Sequence, residues 1–388
     1  MPQQKHKNID ISQNASIGVL GGGQLGMMMI EAAKEIGIVV HCLDPNPAAS
    51  CAKIADTFTV GDFNNYEDVY EFGKDKHFLT IEIENVNIDA LEQLEKEGHH
   101  VFPQPSALRI IKDKGIQKQF YTDNSIPTAS YQLMESKADL ISAQLDFPYV
   151  QKLRTGGYDG KGVQVIRNKE ELSFAFDAPC VIESMIDFEK EISIIVARNI
   201  SGQLAVFPAV ECEFSQEANL VEFQFSPAAI SLEVEQKAIE IASSIIQSLE
   251  LVGILAVEFF LTKDGKLLVN EIAPRTHNSG HHTIECCETS QFSQHLRAVL
   301  NLPLGSKALK QPGAMLNLLG EKGHSGTAHY EGLEEVLQIP GVFVHLYGKE
   351  LTKPFRKMGH ITVLGKSMEE IKAKGALVKS GLRCISKT

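Results

Sequence analysis

The run at residues 256–282, AVEFFLTKDGKLLVNEIAPRTHNSGHH, constrains the fold more than any other part of the chain. Asp264-Gly265 stands between stretches of Val, Phe and Leu, a pattern that predicts a β-hairpin. Each strand carries one glutamate in apolar company: Glu258 between Val257 and Phe259, and Glu271 between Asn270 and Ile272. A carboxylate among core side chains is costly unless it is paired or binds a metal. Two of them on adjacent strands suit one or two hard divalent ions, which favour a few carboxylates plus phosphate oxygens. Arg275, His277, Asn278 and His281 follow at once, a dense set of groups for anions. The alternative is a solvated hairpin face whose glutamates bind nothing.

A chain of 388 residues is too long for one small core, so two or three domains are expected. The net charge of −12 makes nucleic acid a poor partner. No apolar run is long enough to span a membrane, and the polar first residues hold no signal core. Seven cysteines, odd in number and without C-x-x-C spacing, point to reduced thiols and a cytoplasmic setting.

The first part reads as α/β. A short apolar strand runs into Gly21-Gly22-Gly23-Gln24-Leu25-Gly26, and apolar residues then recur at helical spacing. The segment satisfies G-x-G-x-x-G, with Asp44 ending the next apolar run. The physics of such a turn is only that amides at a helix N-terminus approach a phosphate closely. A substrate phosphate is expected there rather than a nicotinamide dinucleotide. Further βα units follow, with strands at 55–60 and 78–81. Glu84 and Asn85 lie just past the second, where a doubly wound sheet presents groups to its ligand crevice. Pro103, Pro105 and Ser106 introduce a helix expected to carry Arg109, Lys112 and Lys114.

From Ser125 the texture is α+β. Lys152 ends a strand that runs into Thr155-Gly156-Gly157-Tyr158-Asp159-Gly160-Lys161-Gly162, and Val163 opens the return strand. Glycines let backbone N–H groups approach a phosphate, so this hairpin suggests a lid over ATP. It is not a P-loop, since no G-x-x-x-x-G-K-[ST] occurs. Residues 183–186, Glu183-Ser184-Met185-Ile186, suit an adenine slot, with Glu191 placed for ribose hydroxyls. Residues 232–251 predict an amphipathic helix capped by Ser231. From Gln311 short strands are expected to dominate, with Lys349, Lys353, Arg356 and Lys357 between two of them.

Taken in order, these pieces resemble the ATP-grasp ligases, and within them the N5-carboxyaminoimidazole ribonucleotide synthetases. The carriers are GVLGGGQLGMM (18–28), IEIENV (81–86), PSALRIIKDK (105–114), KLRTGGYDGKG (152–162), VEFF (257–260), NEIAPRTHNSGHH (270–282) and YGKELTKPFRKMGHITVLG (347–365). The resemblance covers nearly the whole chain, and the ordered set is far more specific than any one piece. It implies a Rossmann-like domain at 1–120, an ATP-grasp domain at 121–310 and a small β-rich lobe at 311–388. By resemblance, ATP is held by Arg109, Lys152, Gly157, Tyr158, Asp159, Gly160, Lys161, Gly162, Val163, the run Glu183, Ser184, Met185 and Ile186, and by Glu191, Asn270 and Glu271. Mg²⁺ is held by Glu258 and Glu271. The 5-aminoimidazole ribonucleotide meets Gly23, Gln24, Leu25, Glu84, Asn85, Tyr158, Asp159, Arg275, His277, Asn278, Ser279, His281, Lys349, Arg356 and Lys357.

The catalytic groups implied are Asp159, Lys161 and Arg275. The partners implied are ATP, bicarbonate, the ribonucleotide and a second copy of the chain. Three positions depart from common patterns. Ala273 stands where many ATP-grasp enzymes have a second metal-binding asparagine, and Phe214 where a histidine near the nucleotide is frequent. Met27 replaces a frequent basic residue. Other classes fit less well. A dehydrogenase would leave Glu258 and Glu271 unexplained. A formyl-transferring or biotin-carboxylating ATP-grasp enzyme would lack HNSGH after the arginine, and a non-catalytic nucleotide sensor would have lost a metal carboxylate or the loop lysine.

Overall fold

The computed structural model describes residues 16–157, 162–214 and 221–387, with the side chain of Phe214 left aside. The predicted positions Tyr158, Asp159, Gly160 and Lys161 lie outside the described residues.

The N-terminal part is a parallel sheet of β1 (Ser16–Leu20), β2 (Val39–Asp44), β3 (Thr57–Val60), β4 (Phe78–Ile81) and β5 (His100–Val101), in the order β3-β2-β1-β4-β5. The helices α1 (Gln24–Glu35), α2 (Tyr66–Gly73) and α3 (Ile88–Lys96) cover it. This is the doubly wound arrangement that the alternating apolar runs predict. The helix expected from Pro105 through Lys114 is instead two, α4 (Pro105–Lys112) and α5 (Lys114–Asp123). Asp113 is the reason. Its backbone is extended, and its side chain accepts from the amides of Gly115 and Ile116, capping α5.

The central part begins with a small antiparallel sheet, β6 (Tyr131–Met134), β7 (Tyr149–Leu153), β8 (Val163–Ile166) and β9 (Cys180–Ser184), ordered β6-β9-β7-β8, with α6 (Lys137–Ser142) beside it. The glycine-rich hairpin joins β7 to β8. A larger sheet follows: β10 (Phe188–Arg198), β11 (Leu204–Val206), β12 (Val210–Phe214), β13 (Val221–Ser226), β14 (Gly253–Thr262) and β15 (Leu267–Ala273). The amphipathic helix α7 (Leu232–Ser248) buries Ala238, Ala242, Ile245 and Ile246 against it. Next come α8 (Thr283–Cys286) and α9 (Gln291–Val299).

The C-terminal part contains β16 (Gly313–Leu319), β17 (Gly326–Glu331), α10 (Leu333–Leu337), β18 (Val342–Leu346), β19 (Leu351–Thr352), β20 (Lys357–Leu364), α11 (Met368–Gly381) and β21 (Arg383–Ser386). Strands were expected to dominate here, yet α11 is 14 residues long. Its polar face obscures the helical period. Three of the strands join the large sheet, which runs β15-β14-β10-β12-β13-β16-β20-β18 without interruption. Core contacts also cross between the parts: α1 packs with Phe292, Leu296 and Tyr347 in one buried cluster. No helix among the described residues is long and apolar enough to cross a membrane.

Candidate active site

The predicted hairpin forms as β14 and β15, and the register sets Glu258 directly opposite Glu271. A bulge after Glu258 interrupts the ladder at that point. Withdrawal from water, then the carboxylates of Glu271 and Glu191, push Glu258 up to about 7. Glu271 differs. Burial would raise it, but the Lys114 ammonium, 2.6 Å away, holds it below the usual carboxylate range. Glu258 has no lysine or arginine ion-pair partner among the described residues; the nitrogen within 4 Å of its carboxylate is His277 Nε2, at 3.7 Å. The pair thus carries more negative charge than the protein compensates, and no third His, Cys, Asp or Glu completes a metal cage among the described residues.

Beside it lies a row of amines, Lys118 buried and Lys152 half-buried. Lys152 Nζ donates to Glu183 at 3.1 Å and to Asn270 Oδ1 at 2.9 Å. Lys118, only 2% exposed, sits 3.3 Å from the other oxygen of Glu183, itself 4% exposed. Burial pulls Lys118 down to about 8 against the attraction of Glu183. Glu191 is pushed up to about 7 by burial, with Lys152 opposing. Ser184 and Met185 are exposed along the connection from β9 to β10, and Ile186 is half-buried, so this edge is open to a flat ligand. Gly157 and Gly162 close the root of the glycine hairpin, where Leu153 N donates to Gly162 O at 2.9 Å and Val163 is exposed.

Sequence reasoning placed Arg109 at ATP. The structure puts it elsewhere: its guanidinium donates to Asp89 and Glu92 on an exposed face of the N-terminal part, at 2.5 Å each. Lys114, the first residue of α5, is the cation that reaches Glu271. Its neighbour Asp113 receives Arg154 through two parallel bonds, Nε to Oδ1 at 2.9 Å and Nη2 to Oδ2 at 2.8 Å. Consecutive residues therefore hold the root of the glycine hairpin and the Glu271 carboxylate. In sequence, the helix expected to carry Arg109, Lys112 and Lys114 reads equally as an ordinary solvated face, and nothing local marks Lys118.

The opposite wall is built from the three parts together. Arg275 Nη2 meets Glu84 at 2.7 Å. His277 Nδ1 bonds Ser279 Oγ at 2.9 Å, and Ser279 Oγ bonds Ser193 Oγ at 2.8 Å. Asn85 is exposed, and Asn278 Oδ1 is buried without a partner among the described residues. Lys349 Nζ crosses from the C-terminal part to Gln24 Oε1 at 3.1 Å and donates to Lys357 O at 2.7 Å. Arg356 turns to Leu351 O at 2.6 Å.

Two expectations need correction. The glycine turn of α1 was read as a phosphate cradle. Two of its amides already face the chain's own carboxyl groups: Gly22 N donates to Asp44 at 2.7 Å, and Leu25 N to Glu82 at 3.2 Å. A Cβ on Gly23 would come within 2.4 Å of Glu82, so the glycines here make room for a carboxylate. Burial, with Arg275 opposing, pushes Glu82 up to about 7. His281 was expected to line the substrate site. It is instead 0% exposed, with its ring against those of His360 and Phe292.

The ATP-grasp domain family matches residues 119–292. The ribonucleotide synthetase preATP-grasp domain matches 14–112, and the phosphoribosylaminoimidazole carboxylase C-terminal domain 313–374. N5-carboxyaminoimidazole ribonucleotide synthase of Bacillus subtilis is 39% identical, over 93% of this chain and 94% of its own. The crystal structure of the synthetase from Thermotoga maritima superposes with a TM-score of 0.89 at 42% identity, covering 96% of this chain and all of that one. The Aspergillus clavatus enzyme, crystallised with ADP and 5-aminoimidazole ribonucleotide, gives 0.84 at 33% identity, covering 93% of this chain and 96% of that one. The chain thus belongs to the N5-carboxyaminoimidazole ribonucleotide synthetases, ATP-dependent ligases of purine biosynthesis within the ATP-grasp enzymes.

Proposed function

We propose that this chain uses ATP and bicarbonate to carboxylate the exocyclic amine of 5-aminoimidazole ribonucleotide, through carboxyphosphate, as a cytoplasmic homodimer. The supporting observation is the under-compensated pair Glu258 and Glu271 facing the amines of Lys114, Lys118 and Lys152. That arrangement suits a polyphosphate and its metal. Glu258 and Glu271 fit Mg²⁺, which when bound neutralises charge on the transferring phosphates. Lys114 occupies one oxygen of Glu271 in the meantime.

Bicarbonate attacks the γ-phosphorus and ADP leaves, giving the mixed anhydride. The amine then attacks its carbonyl carbon and phosphate departs. In this reading Lys152 steadies the phosphates, the segment 183–186 takes adenine and Glu191 the ribose. Arg275 binds bicarbonate or its anhydride. Asp159 takes the amine proton and Lys161 covers the phosphates, so that the hairpin at 155–162 keeps water from a labile intermediate. His277, Lys349, Arg356 and Lys357 receive the ribonucleotide. The functional boundaries are placed at 1–120, 121–310 and 311–388. Phosphate release from ATP is expected only with both bicarbonate and the ribonucleotide present. Equal release with glycinamide ribonucleotide and formate overturns the reading.

A further inference from the structure

Outside the site, the described residues contain one group of titratable rings that the chemistry does not use. The imidazoles of His281, His360 and His345 form a stack, with centroids 4.5 Å apart for the first pair and 4.4 Å for the second, inclined by 24° and 8°. Phe292 closes one end against His281, at 6.1 Å. At the other end His345 Nε2 meets Glu285 Oε1 at 2.8 Å. The stack crosses a joint: His281 and Glu285 belong to the central part, His345 and His360 to β18 and β20.

From there it reaches the substrate wall. Tyr347 Oη bonds His360 Nδ1 at 3.1 Å, and the ring of Tyr347 lies under Lys349 Nζ at 5.3 Å. The carbonyl of Tyr347 accepts from Ser50 in the N-terminal part at 2.8 Å. Among the described residues, both ring nitrogens of His281, and Nε2 of His360, are buried without a hydrogen-bond partner. The His281 ring is therefore held by face contact, not by its nitrogens.

We infer that the stack His281–His360–His345 is a positioning column that sets Lys349 and Lys357, carried by the C-terminal part, in register with Arg275 and His277 on the central part. Flat rings in contact fix separation and tilt, which flexible aliphatic chains of the same volume do not. His281 lies four residues past His277, and His360 three past Lys357, so a slip in the stack is felt at both cationic positions. The inference rests on the function proposed above for what those cations bind.

Because the nitrogens of His281 are idle, the ring is what counts. In the full chain, His281→Phe is expected to keep all constants within about threefold of wild type, whereas His281→Leu raises the KM for the ribonucleotide about tenfold and leaves that for ATP unchanged. Hydrogen exchange of amides at 347–357 supplies a readout without substrate: faster in the leucine variant, unaltered in the phenylalanine one. A phenylalanine variant as impaired as the leucine one overturns the inference, since the nitrogens would then matter. So does a leucine variant with unaltered KM and exchange. If the leucine protein does not fold, Phe292→Leu loosens the column at the His281 end without removing a hydrogen bond and is read the same way. A wild-type protein without ribonucleotide-dependent turnover, whose exchange nonetheless follows the expected pattern, removes the proposed function and leaves the column standing.

Discussion

The turn at 21–26 and the hairpin at 256–273 both advertise phosphate chemistry in their residues, and the fold treats them oppositely. At the turn, two amides of the glycine motif are met by the chain's own carboxyl groups, Asp44 and Glu82. At the hairpin, Glu258 and Glu271 face each other, and a single lysine is bound to Glu271 alone. One site is closed on itself, and the other leaves negative charge to be answered by a ligand. A motif describes what backbone geometry permits. Which groups remain uncompensated after folding decides what binds.

The sharpest way to break this contrast is at the hairpin. Glu258→Gln and Glu271→Gln each keep volume and remove a charge, and each should lower kcat by about a hundredfold or more with the fold intact. Near wild-type kcat at saturating Mg²⁺ would show that the pair holds no metal. The second test asks where the ribonucleotide phosphate goes if the turn is closed. Arg356→Ala should raise the KM for the ribonucleotide by about ten- to a hundredfold, the loss of a charge-assisted bond, with the KM for ATP unchanged. The dephosphorylated riboside should be insensitive to the change. A rise in the KM for ATP instead would move the cluster to the other substrate.

The smallest effect concerns stability. Glu258 has a native value near 7, above its ordinary 4.5. A raised carboxyl favours the folded state fully below 4.5, and that advantage is lost as pH rises through 7. Without divalent cations, Glu258→Gln should therefore melt above wild type at pH near 8, and the gap should close as the pH falls towards 5. Glu258 is partly open to water, so screening keeps the shift small. Equal melting temperatures across that range would mean that ionising Glu258 costs the fold nothing. Thermal melts followed by circular dichroism decide it.

The sequence made some of this visible for a plain reason. Asp264-Gly265, the alternating apolar strands and α7 are local patterns, and local patterns survive folding. So the hairpin, the doubly wound sheet and the long helix stand where expected. Three-dimensional pairing is not local. Lys118 looks like a solvated lysine until α5 sets it against Glu183 from β9. Arg109 looks like a phosphate ligand until Asp89 and Glu92 take it. Glu82 is far in sequence from the helix it caps, and His281 is aimed at a neighbouring part of the fold and away from the cleft.

The strand path from β15 to β18 has a consequence for how the chain can be divided. A cut near residue 310 looks harmless along the backbone, but it would peel β16 from β13. Left behind would be a row of bare N–H and C=O groups beside Phe223 and Phe225, which stack on each other 5.7 Å apart. Such an edge recruits strands from other molecules. The last part of this chain therefore acts as a sheath as well as a source of cations. Shortening or swapping it as a cassette would yield a self-associating protein rather than a smaller ligase.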